Sequence, residues 1–182
     1  MIAKSRHYLL QNPHHLLTIY HSIFSSHMIY GCQVWGQTNS KFFLKIQTLQ
    51  NNALRLITFA DSFYDHISPL YKELNLLKLR DFVTLQNLLL VHDYFNDNLP
   101  ESFSGYFTLS RDMHTHGTRS AILGHLFVPN KDSVRYGRNS IKLQTILSWN
   151  NFAQKFSGID LLQYTRTNFK KVIVKHFIDN YA

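Results

Sequence analysis

The stretch from Leu79 to Phe95 constrains this chain more than any other. Phe82, Val83, Leu85, Leu88, Leu89, Leu90 and Val91 put apolar side chains nearly all round a helical wheel. A helix without a polar face has to be covered on every side. The spacing therefore predicts a buried central helix with others packed around it. Asn96-Asp97-Asn98 breaks that helix, and Leu99-Pro100 starts a new element.

Helices to surround it can be read on both sides. Asn12-Pro13 is a polar cap followed by a proline whose missing N–H costs nothing at a helix start. Leu16, Tyr20, Ile23, Phe24, His27 and Met28 then recur at helical spacing, and Gly31 can close the helix in a left-handed conformation. From about Ser40, the residues Phe42, Ile46, Leu49, Ala53 and Leu56 form an expected core-facing seam. Ser68-Pro69 opens a short helix over Leu70 to Leu74. Ser140 caps a helix holding Ile141, Ile146, Leu147, Trp149 and Phe152, which Ser157-Gly158 stops. From about Thr167, Phe169, Val172, Ile173, His176 and Phe177 line one side of a last helix, opposite Lys170, Lys171 and Lys175. Between Ser110 and Ser140 the helical pattern fades. Leu126-Phe127-Val128 and Val134-Arg135-Tyr136 read as extended pieces around Pro129-Asn130-Lys131-Asp132. The expected fold class is mostly α, a helical bundle with one small β-hairpin. Its expected divisions are residues 1–110 and 111–182, joined in one compact unit.

Composition bears on where such a bundle works. Hydrophobic residues make up 45% of the 182 and charged ones only 16%, well below the usual quarter. A surface so poor in charge suggests that part of it is covered by another chain or domain. The net charge of +8 favours polyanions as partners. Cys32 is the single cysteine, which rules out an internal disulfide or a cysteine-rich zinc knuckle. The apolar stretch Leu16 to Trp35 is broken by His21, Ser22, Ser25, Ser26 and His27, so no membrane span is expected. The residues after Met1 have no secretory pattern. The expected setting is intracellular, nuclear or cytoplasmic.

The sequence offers no convergent set of catalytic groups, and the expectation is a chain that is not an enzyme. Nine Asp and two Glu are scattered with no adjacent pair, whereas a two-metal polymerase or nuclease needs carboxylates converging on the cations. Asp61 and Asp65 fall in a loop. GxxxxGK[ST] and GxGxxG are both missing. His114 and His116 would share one face of an extended segment but lack further ligands. They read as loop histidines bonded to the backbone or standing beside an anion. Cys32, in an apolar setting, reads as a small buried hydrophobe. No cofactor and no metal are expected.

Lys41, Lys45, Thr48, Asn52 and Arg55 form a second stripe, one position before each residue of the seam. A nucleic-acid backbone could follow such an edge through its phosphates, although a plain solvated face would look the same. Arg166, Lys170, Lys171 and Lys175 add a second basic group, and His114, His116, Arg119, Arg135 and Arg138 a third. Trp35 and Trp149 read as core anchors rather than base-stacking platforms.

Several strings resemble, in order, the region after the palm in non-LTR (LINE-type, jockey-like) retrotransposon reverse transcriptases. Leu17-Thr18-Ile19-Tyr20-His21-Ser22 and His27 to Gly36 are similar to the family's LYxSxIxxxLxYGxxVWG. Leu49 to Ile57 resembles its LQNxxLRxI. His66, Pro69-Leu70-Tyr71, Leu74 and Leu76-Leu77-Lys78-Leu79 follow, then Asn98-Leu99-Pro100, then His116-Gly117-Thr118-Arg119. Ser140 with Trp149-Asn150, Phe169-Lys170-Lys171 and Tyr181 complete the series. His27 departs from a frequent proline, and no zinc knuckle follows. The resemblance implies a thumb-like and post-thumb segment, with the catalytic aspartates in a palm upstream of Met1. It implies RNA–DNA or DNA duplex and the palm as partners. Lys41, Lys45, Arg55, His116, Arg119, Lys170 and Lys171 are the candidate duplex contacts. The alternative is a structural remnant or protein-interaction module that does not bind nucleic acid.

Overall fold

The computed structural model describes residues 13–37, 41–60, 66–113, 118–129, 137–156 and 161–181. They are mostly helical, and among them no strand forms. By contacts, the chain divides into Met1–Phe82 with Lys175–Ala182, and Val83–Val174. This division differs from the 1–110 and 111–182 split read from the sequence pattern.

In the first unit, α1 (Pro13–Ile19) runs through a π-helical stretch, Tyr20–Ser25, into α2 (Ser26–Ile29). A π turn inserts an extra residue and rotates everything after it. Leu16 and Tyr20 are accordingly buried, while Ile23 and His27, expected on the same seam, are exposed. Gly31 takes φ +61° as the sequence suggested and leads into α3 (Cys32–Trp35). Next come α4 (Lys41–Thr58), α5 (Ser68–Glu73) and the first turn of α6 (Leu79–Phe95).

The core of this unit contains a hydrogen-bond network that the apolar pattern did not reveal. Gln47 Nε2 reaches the Tyr71 hydroxyl at 2.8 Å, and Gln47 Oε1 accepts from the Leu79 N–H at 3.0 Å. Gln50 Nε2 donates to the Tyr20 hydroxyl and the Leu77 carbonyl. The Tyr71 hydroxyl donates to Asn51 Oδ1, and Tyr71 itself is fully buried. Near the other end of the chain, the Tyr181 hydroxyl accepts from the Lys78 N–H and donates to Asp81 at 2.6 Å. The first N–H groups of a helix have no partner within it. Here Gln47 and Tyr181, distant in sequence, satisfy two of them at the start of α6.

The second unit holds the rest of α6, then α7 (Ser110–Met113), α8 (Arg119–Ile122), α9 (Ile141–Lys155) and the first nine residues of α10 (Arg166–Asp179). Leu85, Leu88, Val91, Ile146, Trp149, Phe169 and Ile173 are among its buried core. His92 stacks on Phe169 with ring centroids 4.5 Å apart and bonds the Tyr164 carbonyl. Asp93 receives both bonds from Arg166 Nε, at 2.9 and 3.0 Å.

The expected hairpin has its second arm, Val134 to Tyr136, outside the described residues. Its first arm pairs with an unexpected partner: Leu126 forms an antiparallel bridge with Leu109, flanked by Ser110 N–H to His125 O and Phe127 N–H to Thr108 O. On its other edge the Asn150 amide bonds both backbone groups of Leu126, at 2.7 and 3.0 Å. Ser140 caps α9 by accepting from the Leu143 N–H.

Candidate nucleic-acid interface

The 18 residues of α4 include no acidic side chain. Lys41, Lys45 and Thr48 are exposed along one face, with Asn52 and Arg55 continuing it half-buried. The inward face carries Phe43, Gln50, Ala53, Leu54 and Ile57. This corrects the seam read from the sequence. Of Phe42, Ile46, Leu49, Ala53 and Leu56, only Ala53 is buried, and Phe42 and Leu49 are 72% and 60% exposed. The reason lies in the network: the amides of Gln47 and Gln50 find internal partners, so the polar side of the helix turns inward and takes Phe43, Leu54 and Ile57 with it.

The rotation leaves a mixed outer surface. Lys45 Nζ stands 5.6 Å from the centroid of the exposed Phe42 ring. On one flank of the cations lie Phe42 and Leu49, and on the other Leu44, also largely exposed. Such a surface can offer charge to phosphates and apolar area to sugars or bases. Arg55 differs from the lysines. Burial raises the Tyr71 phenol well above its ordinary pKa, and the nearby Arg55 charge opposes part of that rise. The Arg55 side chain is also half-buried, with its Nε out of contact with solvent, so it is packed partly into the fold.

Arg119, Lys170 and Lys171 are exposed but belong to the second unit. Arg119 begins α8, where Thr118 caps the Ala121 N–H, and the two lysines lie on α10. His116, with His114 and Arg135, lies outside the described residues, as do Asp61 and Asp65. Among the described residues no group of three His, Cys, Asp or Glu could hold a metal ion, and no helix is long and apolar enough to cross a membrane. Cys32 is buried, and burial pushes its thiol up to about 11. At neutral pH it is a thiol and a poor nucleophile.

No family model matches the chain, and no solved structure does. One curated protein is similar: the "Probable RNA-directed DNA polymerase from transposon X-element" of Drosophila melanogaster, 37% identical over 65 residues. The match covers 36% of this chain and 7% of that protein. Part of this chain is thus related to a small part of a transposon polymerase.

The residues that carry the family resemblance have structural work in the fold. Gln50, Asn51, Tyr71 and Tyr181 build the network of the first unit, and Trp149 and Asn150 hold the backbone at Gly124 and Leu126. Sequence reasoning missed these roles because apolar periodicity is blind to an amide or phenol with a distant partner. The signal available was the run Gln47 to Asn52, too rich in amides for an ordinary solvated helix.

Proposed function

We propose that this chain is a noncatalytic C-terminal segment of a retrotransposon RNA-directed DNA polymerase, thumb-like in role, that grips template–primer duplex through phosphate contacts. The observation that carries the reading is the acid-free outer face of α4, where Lys41 and Lys45 stand exposed. Lys41 sits in the first turn, where the helix dipole disfavours a cation. A phosphate at that end would be welcomed by the dipole and the ammonium together. The partial similarity to a transposon polymerase and the ordered series of family-like strings support the same setting. In it, a palm upstream of Met1 supplies the catalytic aspartates, and Arg119, Lys170, Lys171 and His116 add further backbone contacts. The seven candidates specify no base, so the grip is independent of sequence.

A second reading rests on the exposed Phe42, Leu44 and Leu49, which would suit a protein surface equally well. A double variant separates the two. Lys41→Glu with Lys45→Glu should weaken binding of the whole chain to an RNA–DNA hybrid at least about tenfold, given two phosphate contacts turned repulsive. Unchanged affinity would remove α4 from the interface. Self-association without any hybrid binding would favour the protein-interaction reading.

A further inference from the structure

The second unit contains a groove of about 620 Å³ whose lining runs against the charge of the chain. Three of the chain's 11 acidic residues, Asp97, Glu101 and Asp112, line it, while among the described residues no Lys, Arg or His does. Its walls are aromatic, with Tyr94, Phe95, Phe103 and Phe107 among them. The rings are set edge to face: Tyr94 lies 5.2 Å from Phe107 and 5.1 Å from Phe95 between centroids. Phe107 is buried as the floor, whereas Asp97, Glu101 and Asp112 are exposed. Asp112 has Arg111 beside it at 3.7 Å, and among the described residues Asp97 and Glu101 make no salt bridge.

We propose that this groove takes a basic peptide segment of a protein partner, seating an arginine or lysine side chain against the aromatic walls with Asp97 and Glu101 meeting its charge. Carboxylates above ring faces are the chemistry that holds a guanidinium or ammonium group. Charge complementarity selects a cationic occupant, since the groove is an acidic site on a molecule of net charge +8. A nucleic acid is repelled by the same carboxylates. The volume falls within the range of pockets that enclose drug-sized ligands, larger than one side chain needs, so a stretch of peptide fits better than a free ion. At Tyr106, next in sequence to Phe107, Lys142 Nζ lies 5.0 Å from the ring centroid, an internal contact of the kind invoked.

The charge of Asp97 is unfavourably placed at a helix C-terminus. Asp97 ends α6 in the left-handed conformation, φ +55°, with Asn98 N–H returning to Asp93 O and Asp97 N–H to Tyr94 O. Glycine or asparagine is usual at such a position, and a carboxylate there faces the negative end of the helix dipole. Aspartate tolerates the left-handed conformation, but its charge at this end of the helix works against the dipole.

The test is fluorescence anisotropy of labelled hexa-arginine, hexa-lysine and hexa-glutamate peptides with the whole chain. The expected result is binding of hexa-arginine, weaker binding of hexa-lysine because ammonium does not stack, and none of hexa-glutamate. Asp97→Asn with Glu101→Gln should weaken hexa-arginine binding at least tenfold while raising thermal stability slightly, since Asn suits the left-handed turn better. Lys41→Glu with Lys45→Glu should leave it unchanged, which separates this site from the α4 face. Failure to bind hexa-arginine at low salt, affinity untouched by the Asp97 and Glu101 changes, or free arginine binding as well as the peptide would each overturn the proposal.

Discussion

Single polar side chains do most to define this structure, and their loss should be felt accordingly. Tyr181→Phe removes the acceptor of the Lys78 N–H and the donor to Asp81. Leaving half-buried partners short of a bond costs toward the lower end of about 1–3 kcal/mol, so chemical denaturation of this variant should show a loss of about 1 kcal/mol with an unchanged slope. Asn150→Ala strips both backbone groups of Leu126 of their partner. A loss of about 2 kcal/mol or more is expected, along with faster amide exchange at Leu126. An unaltered midpoint for either variant would mean that water replaces the bond. Cys32 and the phenols of Tyr20, Tyr71 and Tyr181 all have pKa values raised by burial. These groups stay neutral in the fold but ionise in the unfolded chain above their ordinary values. Stability is therefore complete below about pH 9 and declines as pH rises from there, through about 11 for Cys32. Thermal melts across that range check the sign. A melting temperature that held constant to pH 11 would contradict the burial of these groups.

Among the elements, α6 was legible in full, because all-round apolarity has one interpretation and its end is marked by three polar residues. The Ser140 cap was equally plain, and Pro69 marked the first turn of α5, although Ser68 lies inside that helix rather than capping it and Asn12 falls outside the described residues. Register was not. In α1 a π turn displaced the residues after Tyr20, and in α4 the amides of Gln47 and Gln50 went inside, leaving Phe42 and Leu49 out. The α4 departure comes from groups whose partners are far away in sequence, which periodicity cannot weigh. The candidate site was legible in part: Lys41 and Lys45 stand on the exposed stripe as read, whereas Arg55 also serves the interior. That contrast predicts unequal effects. Arg55→Gln should lower stability, which denaturation would register, whereas Lys45→Gln should leave stability within about 0.5 kcal/mol and weaken duplex binding. A destabilised Lys45→Gln protein would place that lysine in the fold rather than at an interface.

At the scale of the molecule, the sparse charge of the sequence becomes a division of labour. The long helix α4, which has no acidic residue, presents lysines outward, and the carboxylates Asp97, Glu101 and Asp112 gather around an aromatic groove in the other unit. Net charge alone could not separate these two surfaces. The central claim is that the chain holds duplex by its phosphates. Affinity of the whole chain for an RNA–DNA hybrid, measured across a series of salt concentrations, tests it most directly. With about five phosphates engaged, log affinity should fall against log salt with a slope of roughly −4 to −5, the same for unrelated hybrid sequences. No binding at low salt, or an affinity indifferent to salt, would contradict it.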